Sequence, residues 1–169
     1  IILLRMKILF VANRVPYPPF RGDKLKIFNL ANELCKKHEL HLITIAENKE
    51  DIHSVEELLK PTDFLNSKGQ KILLFHSLNW EYRPKWLSTI SAILGIFSNR
   101  PLQVAFFRSS GFADRLKQLL SEHQFDAIHV QHIRMAQYFD GIDKSKVILD
   151  LPDAFSLYWQ RRRDQAQHL

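Results

Sequence analysis

The order of patterns within residues 7–38 restricts this chain more than any other feature. An apolar run of strand type, KILFVANRV, gives way to the turn-rich PYPPFRGD and then to LKIFNLANELCKK. In that last piece Ile27, Leu30, Ala31 and Leu34 recur at i, i+3, i+4 and i+7, the spacing of one buried helix face. A second apolar run, HLITIA at residues 41–46, follows a basic helix end. Strand, loop, helix, strand is a βαβ unit, whose crossover makes the two strands parallel and neighbouring. The expected class is therefore α/β: a Rossmann-like, open, mostly parallel β-sheet with helices on both faces.

Size and composition agree with one such domain. A chain of 169 residues buries roughly two-thirds of its extended-chain surface without a covalent staple. The single cysteine, Cys35, excludes an internal disulfide and suits a reducing cytoplasm. On a helix it reads as a packing residue. The net charge of +6 would suit an anionic partner. Its cations are scattered, however, over Lys36 and Lys37, Arg83 and Lys85, Arg115 and Lys117, and Arg161 to Arg163. No RNA-binding or helix-turn-helix pattern accompanies them, so nucleic acid is not an expected partner. Arg5 and Lys7 interrupt the first apolar residues, leaving a run too short to span a bilayer and no signal-peptide cleavage pattern. Residues 1–5 read as an extension ahead of Met6, and residues 6–169 as one cytoplasmic domain.

Further along, Ile52, Val55, Leu58 and Leu59 predict a short amphipathic helix closed by Pro61. KILLFHSL, residues 71–78, predicts the third strand. Residues 80–100 read as a turn around Pro84 running into a helix. There Trp86, Leu87, Ile90, Ile93, Leu94 and Phe97 form an apolar stripe opposite Ser88, Ser91 and Ser98. The pattern favours packing of this stripe into the core. The alternative is a helix lying on a partner or a membrane surface, which the flanking tryptophans and arginines would suit. A connector, LQVAFFRSS, leads to a helix over 111–123, a fourth strand over 125–130 and a helical piece over 135–139. A turn at Asp140-Gly141 then precedes a fifth strand over 146–151 and a last helix over 154–168.

Parallel strands present their carboxyl ends along one edge, where ligands of open α/β sheets bind. The residues to inspect there are Asn13, Arg14 and the loop to Gly22 and Asp23, then Gln131 and His132, then Asp150 and Asp153. Gly22 either lets a phosphate approach the first helical N–H groups or punctuates the helix, with Asp23 as N-cap. Neither GxGxxG nor GxxxxGK[ST] is present, which argues against a dinucleotide fold and a P-loop enzyme. His129 and His132 fall on opposite faces of a strand. His129 then reads as a packed residue and His132 as the candidate for contacting substrate. The spacing around them offers no zinc set. Asp150 and Asp153 could bond a sugar hydroxyl or cap the following helix. No Ser-His-Asp or Cys-His set can be assembled.

Three segments carry a likeness to a known family. They are P-Y-P-P-x-x-G-D-K at residues 16–24, F-D-A-I-x-V-x-x-x-x-M-A-Q-Y at 125–138, and D-x-x-D-x-x-S-x-x-W at 150–159. With VPYPPFRGDKLKIFNLANEL followed by HELHLITI, the chain resembles the amino-terminal half of GT-B glycosyltransferases of family 4, the "group 1" retaining enzymes. The nearer likeness is to sugar transferases associated with bacterial exopolysaccharide and protein-sorting gene clusters. The resemblance implies transfer of a sugar from a nucleotide diphosphate donor to a glycan or lipid-linked acceptor, with no metal and no further cofactor. It implies an acceptor-side domain here, with the loop at Gly22 against the donor diphosphate; on physical grounds the helix amino end formed by Gly22, Asp23 and Lys24 would supply N–H donors and positive potential at that leaving group. It also implies a carboxyl-terminal nucleotide-sugar-binding domain bearing E-x₇-E, which residues 6–169 do not contain, so that this half would be inactive alone. Many members carry H-x-H at the end of the fourth strand; here the second position is Gln131, with His132 beside it. That makes His132 the catalytic candidate, with Asn13, Arg14, Gln131, Asp150 and Asp153 around the substrate. Peripheral contact with the inner face of the membrane would suit a lipid-linked acceptor. A non-catalytic α/β ligand-binding or regulatory module is the competing expectation.

Overall fold

The computed structural model describes residues 5–59, 75–96, 101–151 and 155–166. Five strands form one sheet: β1 (Lys7–Val11), β2 (Glu39–Ala46), β3 (Ser77–Tyr82), β4 (Ala127–Gln131) and β5 (Val147–Asp150). Their order is β3-β2-β1-β4-β5, and every pairing is parallel. The helices are α1 (Gly22–Cys35), α2 (Lys49–Leu59), α3 (Lys85–Gly95), α4 (Leu102–Phe106), α5 (Ser110–Glu122) and α6 (Phe155–Ala166), with 3₁₀ turns at Ile133–Phe139 and Lys144–Lys146. The α/β Rossmann-like architecture expected from the sequence is the one observed.

Alternation along β1 divides the core into two layers. Ile8, Phe10 and Ala12 face Ile27, Phe28 and Ala31 of α1 and Val55 and Leu58 of α2. Leu9 and Val11 point the other way, into a layer with Phe112, Leu116 and Leu119 of α5 and with Met135 and Phe139. Burial on both faces is why β1 and β2 read as continuous apolar runs rather than alternating ones. Each large side chain taken out of water there contributes about 1.5–3 kcal/mol.

Three local expectations are corrected. The third strand, expected over 71–78, is found over Ser77–Tyr82 and shares only Ser77 and Leu78 with that range; residues 71–74 lie outside the described residues. SLNWEY alternates polar and apolar residues because β3 is an edge strand. Leu78 and Trp80 pack towards α1 and α2, while Glu81 accepts from Arg115 of α5 at 3.0 Å. Asp23 is not the N-cap of α1: Arg21 occupies that position in extended conformation and caps with no side chain.

The third correction concerns α3. Its large apolar residues face outward, with Trp86 61%, Ile93 53% and Leu94 64% exposed; Phe97 lies outside the described residues. The inward face carries small residues instead, with Ser88 and Gly95 buried. Arg83 explains the orientation. It is buried, and donates from Nε to Ser88 at 3.1 Å and from Nη2 to Ser91 at 2.6 Å. A buried guanidinium must be met by acceptors, so the serine face turns inward. Gly95 then allows α4 to approach closely, since a Cβ at that position would lie 2.5 Å from the Cβ of Ala105.

Gly95→Ala is accordingly expected to destabilise the fold by about 1–3 kcal/mol through overpacking, read as a lower urea midpoint. Thr89→Ala, on the exposed side of the same helix, should leave the midpoint nearly unchanged.

Candidate functional site

The strand order determines where a ligand can sit. The chain leaves β1 towards β2 and leaves β4 towards β5, so the connections diverge between two adjacent strands. This is the topological switch point, and the crevice opens past the carboxyl ends of β1 and β4. Asn13 and Arg14 emerge there from β1, and Gln131 and His132 from β4. Together with Arg21, Gly22, Asp23 and Lys26 from the start of α1, and Arg134, they line a cleft of about 560 Å³.

The wall made by α1 is open at its first residue. Nothing lies within 4 Å of where a Gly22 Cβ would be; of the first N–H groups, which a helix leaves without internal acceptors, that of Lys24 donates to Asp23 Oδ1 at 3.0 Å. Four of the cleft residues are Lys or Arg and one is acidic. Ion pairs hold part of that charge in place. Arg14 Nη1 lies 3.3 Å from Asp23 Oδ2, and Arg14 Nε lies 3.8 Å from Glu47. Lys26 Nζ reaches across from α1 to Asp150 at 2.7 Å. Arg134 donates to Gln103 at 3.2 Å, with its guanidinium over the Phe107 ring. Asn13 and Gln131 are 4% and 2% exposed, and the Gln131 Oε1 and Arg14 Nε have no hydrogen-bond partner among the described residues. Unsatisfied buried polar atoms beside a cationic cleft are groups that an incoming polar ligand can satisfy.

His132 closes β4 with φ 77° and ψ 140°, a region that is close to glycine-only. Its N–H continues the ladder to the Asp150 carbonyl at 2.9 Å, and its Nδ1 accepts from the Arg134 N–H at 3.5 Å. The strand ladder on one side and the 3₁₀ turn on the other hold the residue in this conformation. His129 lies on the other face, beside Phe10 in register, with ring centroids 4.5 Å apart. Burial lowers its pKa below the ordinary histidine value, partly offset by Asp150, whose Oδ2 lies 3.7 Å from Nε2. His129 is a packed residue, as its strand position suggested.

The other sequence candidates separate by position. Gly22 and His132 line one cleft, whereas Asp150 does not line it and reaches it only through Lys26, which it anchors. Lys24 turns away: its amine meets Asp51 of α2 at 3.3 Å and takes no part in lining the cleft. Asp153 lies outside the described residues. Sequence reasoning passed over Arg21, Lys26 and Arg134. Each lies within four positions of a residue already singled out, but no spacing in the sequence turns it towards the cleft. Tyr138, at the end of the second resemblance segment, serves the packing of the fold. Its hydroxyl accepts from the Ser109 N–H at 2.7 Å and donates to the Phe107 carbonyl. Burial pushes its pKa up to about 12. No protein-family profile matches the chain, and neither does any curated protein.

The backbone at His132 yields a direct test. His132→Ala and His132→Gly both remove the imidazole, but only glycine relieves the positive φ. The glycine variant should be the more stable by about 1 kcal/mol or more, the reverse of the order found inside regular elements. Urea midpoints of the two variants measure it.

Proposed function

We propose that this chain is the acceptor-side half of a retaining glycosyltransferase, which moves a sugar from a nucleotide diphosphate donor to a glycan or lipid-linked acceptor. The observation that carries this reading is the meeting of the α1 amino end at Gly22, the cations Arg14 and Lys26, and His132 around one cleft at the switch point. Departure of a nucleoside diphosphate builds negative charge. Preorganised N–H donors and cations aimed at that charge lower the barrier most. In this reading the α1 terminus and its cations take the diphosphate. His132 and Gln131, at the end of β4, orient the acceptor hydroxyl. The order of the three resemblance segments supports the same assignment.

The cleft has one wall of strand ends and helix start. In this reading a second α/β domain brings the nucleotide and closes the opposite side, so the chain alone should bind a diphosphate weakly and turn nothing over. A non-catalytic binding module would use the same cleft and would stay without turnover even when joined to such a domain.

The exposed face of α3 supports a further part of the reading, peripheral contact with a membrane carrying a lipid-linked acceptor. Trp86, Ile90, Ile93 and Leu94 lie on the outside beside Lys85, an arrangement suited to the headgroup boundary. No helix among the described residues is long and apolar enough to cross a bilayer.

Calorimetric titration with uridine, guanosine and adenosine diphosphates tests the cleft. At least one should bind in a salt-sensitive way. Arg14→Ala should weaken it about tenfold, as loss of a charge-assisted hydrogen bond does. Gly22→Ala should weaken it while leaving the urea midpoint unchanged. Turnover of a nucleotide sugar by these residues alone would overturn the half-enzyme reading, and failure to bind any diphosphate would overturn the anion site.

Sedimentation with vesicles tests α3. Binding to anionic vesicles should exceed binding to neutral ones and be lost in the Trp86→Ser, Leu94→Ser double variant, which removes only exposed side chains.

A further inference from the structure

We propose that Glu39, His41 and His76 form a binding site for a divalent transition metal ion, of zinc type, at the amino-terminal edge of the sheet. This edge is the one opposite the cleft, so the site is independent of the sugar-transfer reading. Glu39 opens β2, and His41, two residues on, projects from the same face of the strand. His76 reaches them from just before β3, where its N–H donates to the Leu40 carbonyl at 2.7 Å. The histidine rings lie 4.9 Å apart between centroids.

The ligand atoms already have nearly the spacing that a metal needs. His41 Nε2 is 2.9 Å from Glu39 Oε1, and His76 Nε2 is 3.6 Å from the same oxygen. One ligand atom from each residue lies within 4.8 Å of the others. Ligands at zinc bond lengths in a tetrahedron stand roughly 3.3 Å apart, so small rotations of two side chains complete the set. Two imidazoles and a carboxylate form a donor set that zinc takes with one position open to solvent. The exposure follows suit, with His41 at 1% and His76 at 58%. Ser77 Oγ meets His41 Nδ1 at 2.7 Å, the outer contact that orients a ligating imidazole. On binding, the His41 ring proton moves from Nε2 to Nδ1, from which it is donated to Ser77 Oγ, and Nε2 takes the metal.

A cation already sits at this carboxylate. Lys7 Nζ lies 3.3 Å from Glu39 Oε1 and 3.3 Å from His123 Nδ1. Its side chain is 28% exposed and can swing towards solvent, so lysine and metal compete for one place. The spacing around His129 and His132 offered no metal set in the sequence. This one draws on residues 39, 41 and 76, which only the parallel pairing of β2 with β3 brings together.

The test uses the untagged chain, titrated with cobalt(II) by visible absorption and with zinc(II) by calorimetry. One equivalent should bind. His76→Ala should weaken binding at least tenfold, and Ser77→Ala about tenfold, as losses of outer contacts do. Lys7→Met should tighten binding several-fold by removing the competing ammonium. His53→Ala, which alters the exposed His53, Glu56 and Glu57 group on α2, should change nothing. The thermal midpoint should rise on the order of 5 °C at a hundredfold excess of zinc over Kd. Absence of saturable binding in both the unaltered chain and Lys7→Met would overturn the site, as would binding that survives His76→Ala or is lost in His53→Ala.

Discussion

β1 pairs in parallel with β2 on one side and with β4 on the other, and both of its faces are covered. From Leu9 to Val11 no side chain of this strand touches solvent. The register that aligns Val11 with Ile43 and Val130 also decides which residues leave the sheet together. Asn13 and Arg14 therefore emerge beside Gln131 and His132. A slip of one residue would exchange the two core layers and bury the wrong set. The cleft is thus a consequence of core packing rather than a feature added to it.

Around that cleft the ion pairs orient more than they stabilise. Partly exposed pairs such as Lys26 with Asp150, or Arg14 with Asp23, each contribute no more than about 1 kcal/mol. Their geometry matters more, because they tie α1 to the ends of β1 and β5 and hold the cations at the opening. The strained backbone at His132 has the same character. A cost of about 1–3 kcal/mol is borne by the β4–β5 ladder on one side and the 3₁₀ turn on the other, which keep the residue at the rim. Cations held at an opening, beside a helix start whose N-cap residue Arg21 makes no side-chain bond, make a surface suited to anions.

α3 shows how one buried charge can overrule a hydrophobic pattern. Its apolar stripe is wide enough to predict a core helix. Yet Arg83 lies beneath it and needs the hydroxyls of Ser88 and Ser91. The small face turns inward, Gly95 admits α4, and the large residues are left outside. Leaving several apolar side chains exposed costs less than burying an unmet guanidinium. That choice also supplies the outward face on which the membrane proposal rests.

Much of the fold was legible in the chain itself, because local periodicity and burial on both faces coincide there. The βαβ unit at the start, the strands at 125–130 and 146–151 and the helix ending near Glu122 all follow from runs and spacings that depend on near neighbours alone. Edge strand β3 was displaced, because half-exposed SLNWEY carries a weaker apolar signal than the run before it. The strand-end candidates Asn13, Arg14, Gln131 and His132 were readable for the same reason: the end of a strand is a local property. Tertiary structure alone decided that Lys26 and Arg134 join them, that Lys24 turns to α2, and that Glu39, His41 and His76 meet. Those outcomes depend on the register between strands and the tilt of helices, which arise from contacts between residues far apart in the chain. No local pattern encodes them.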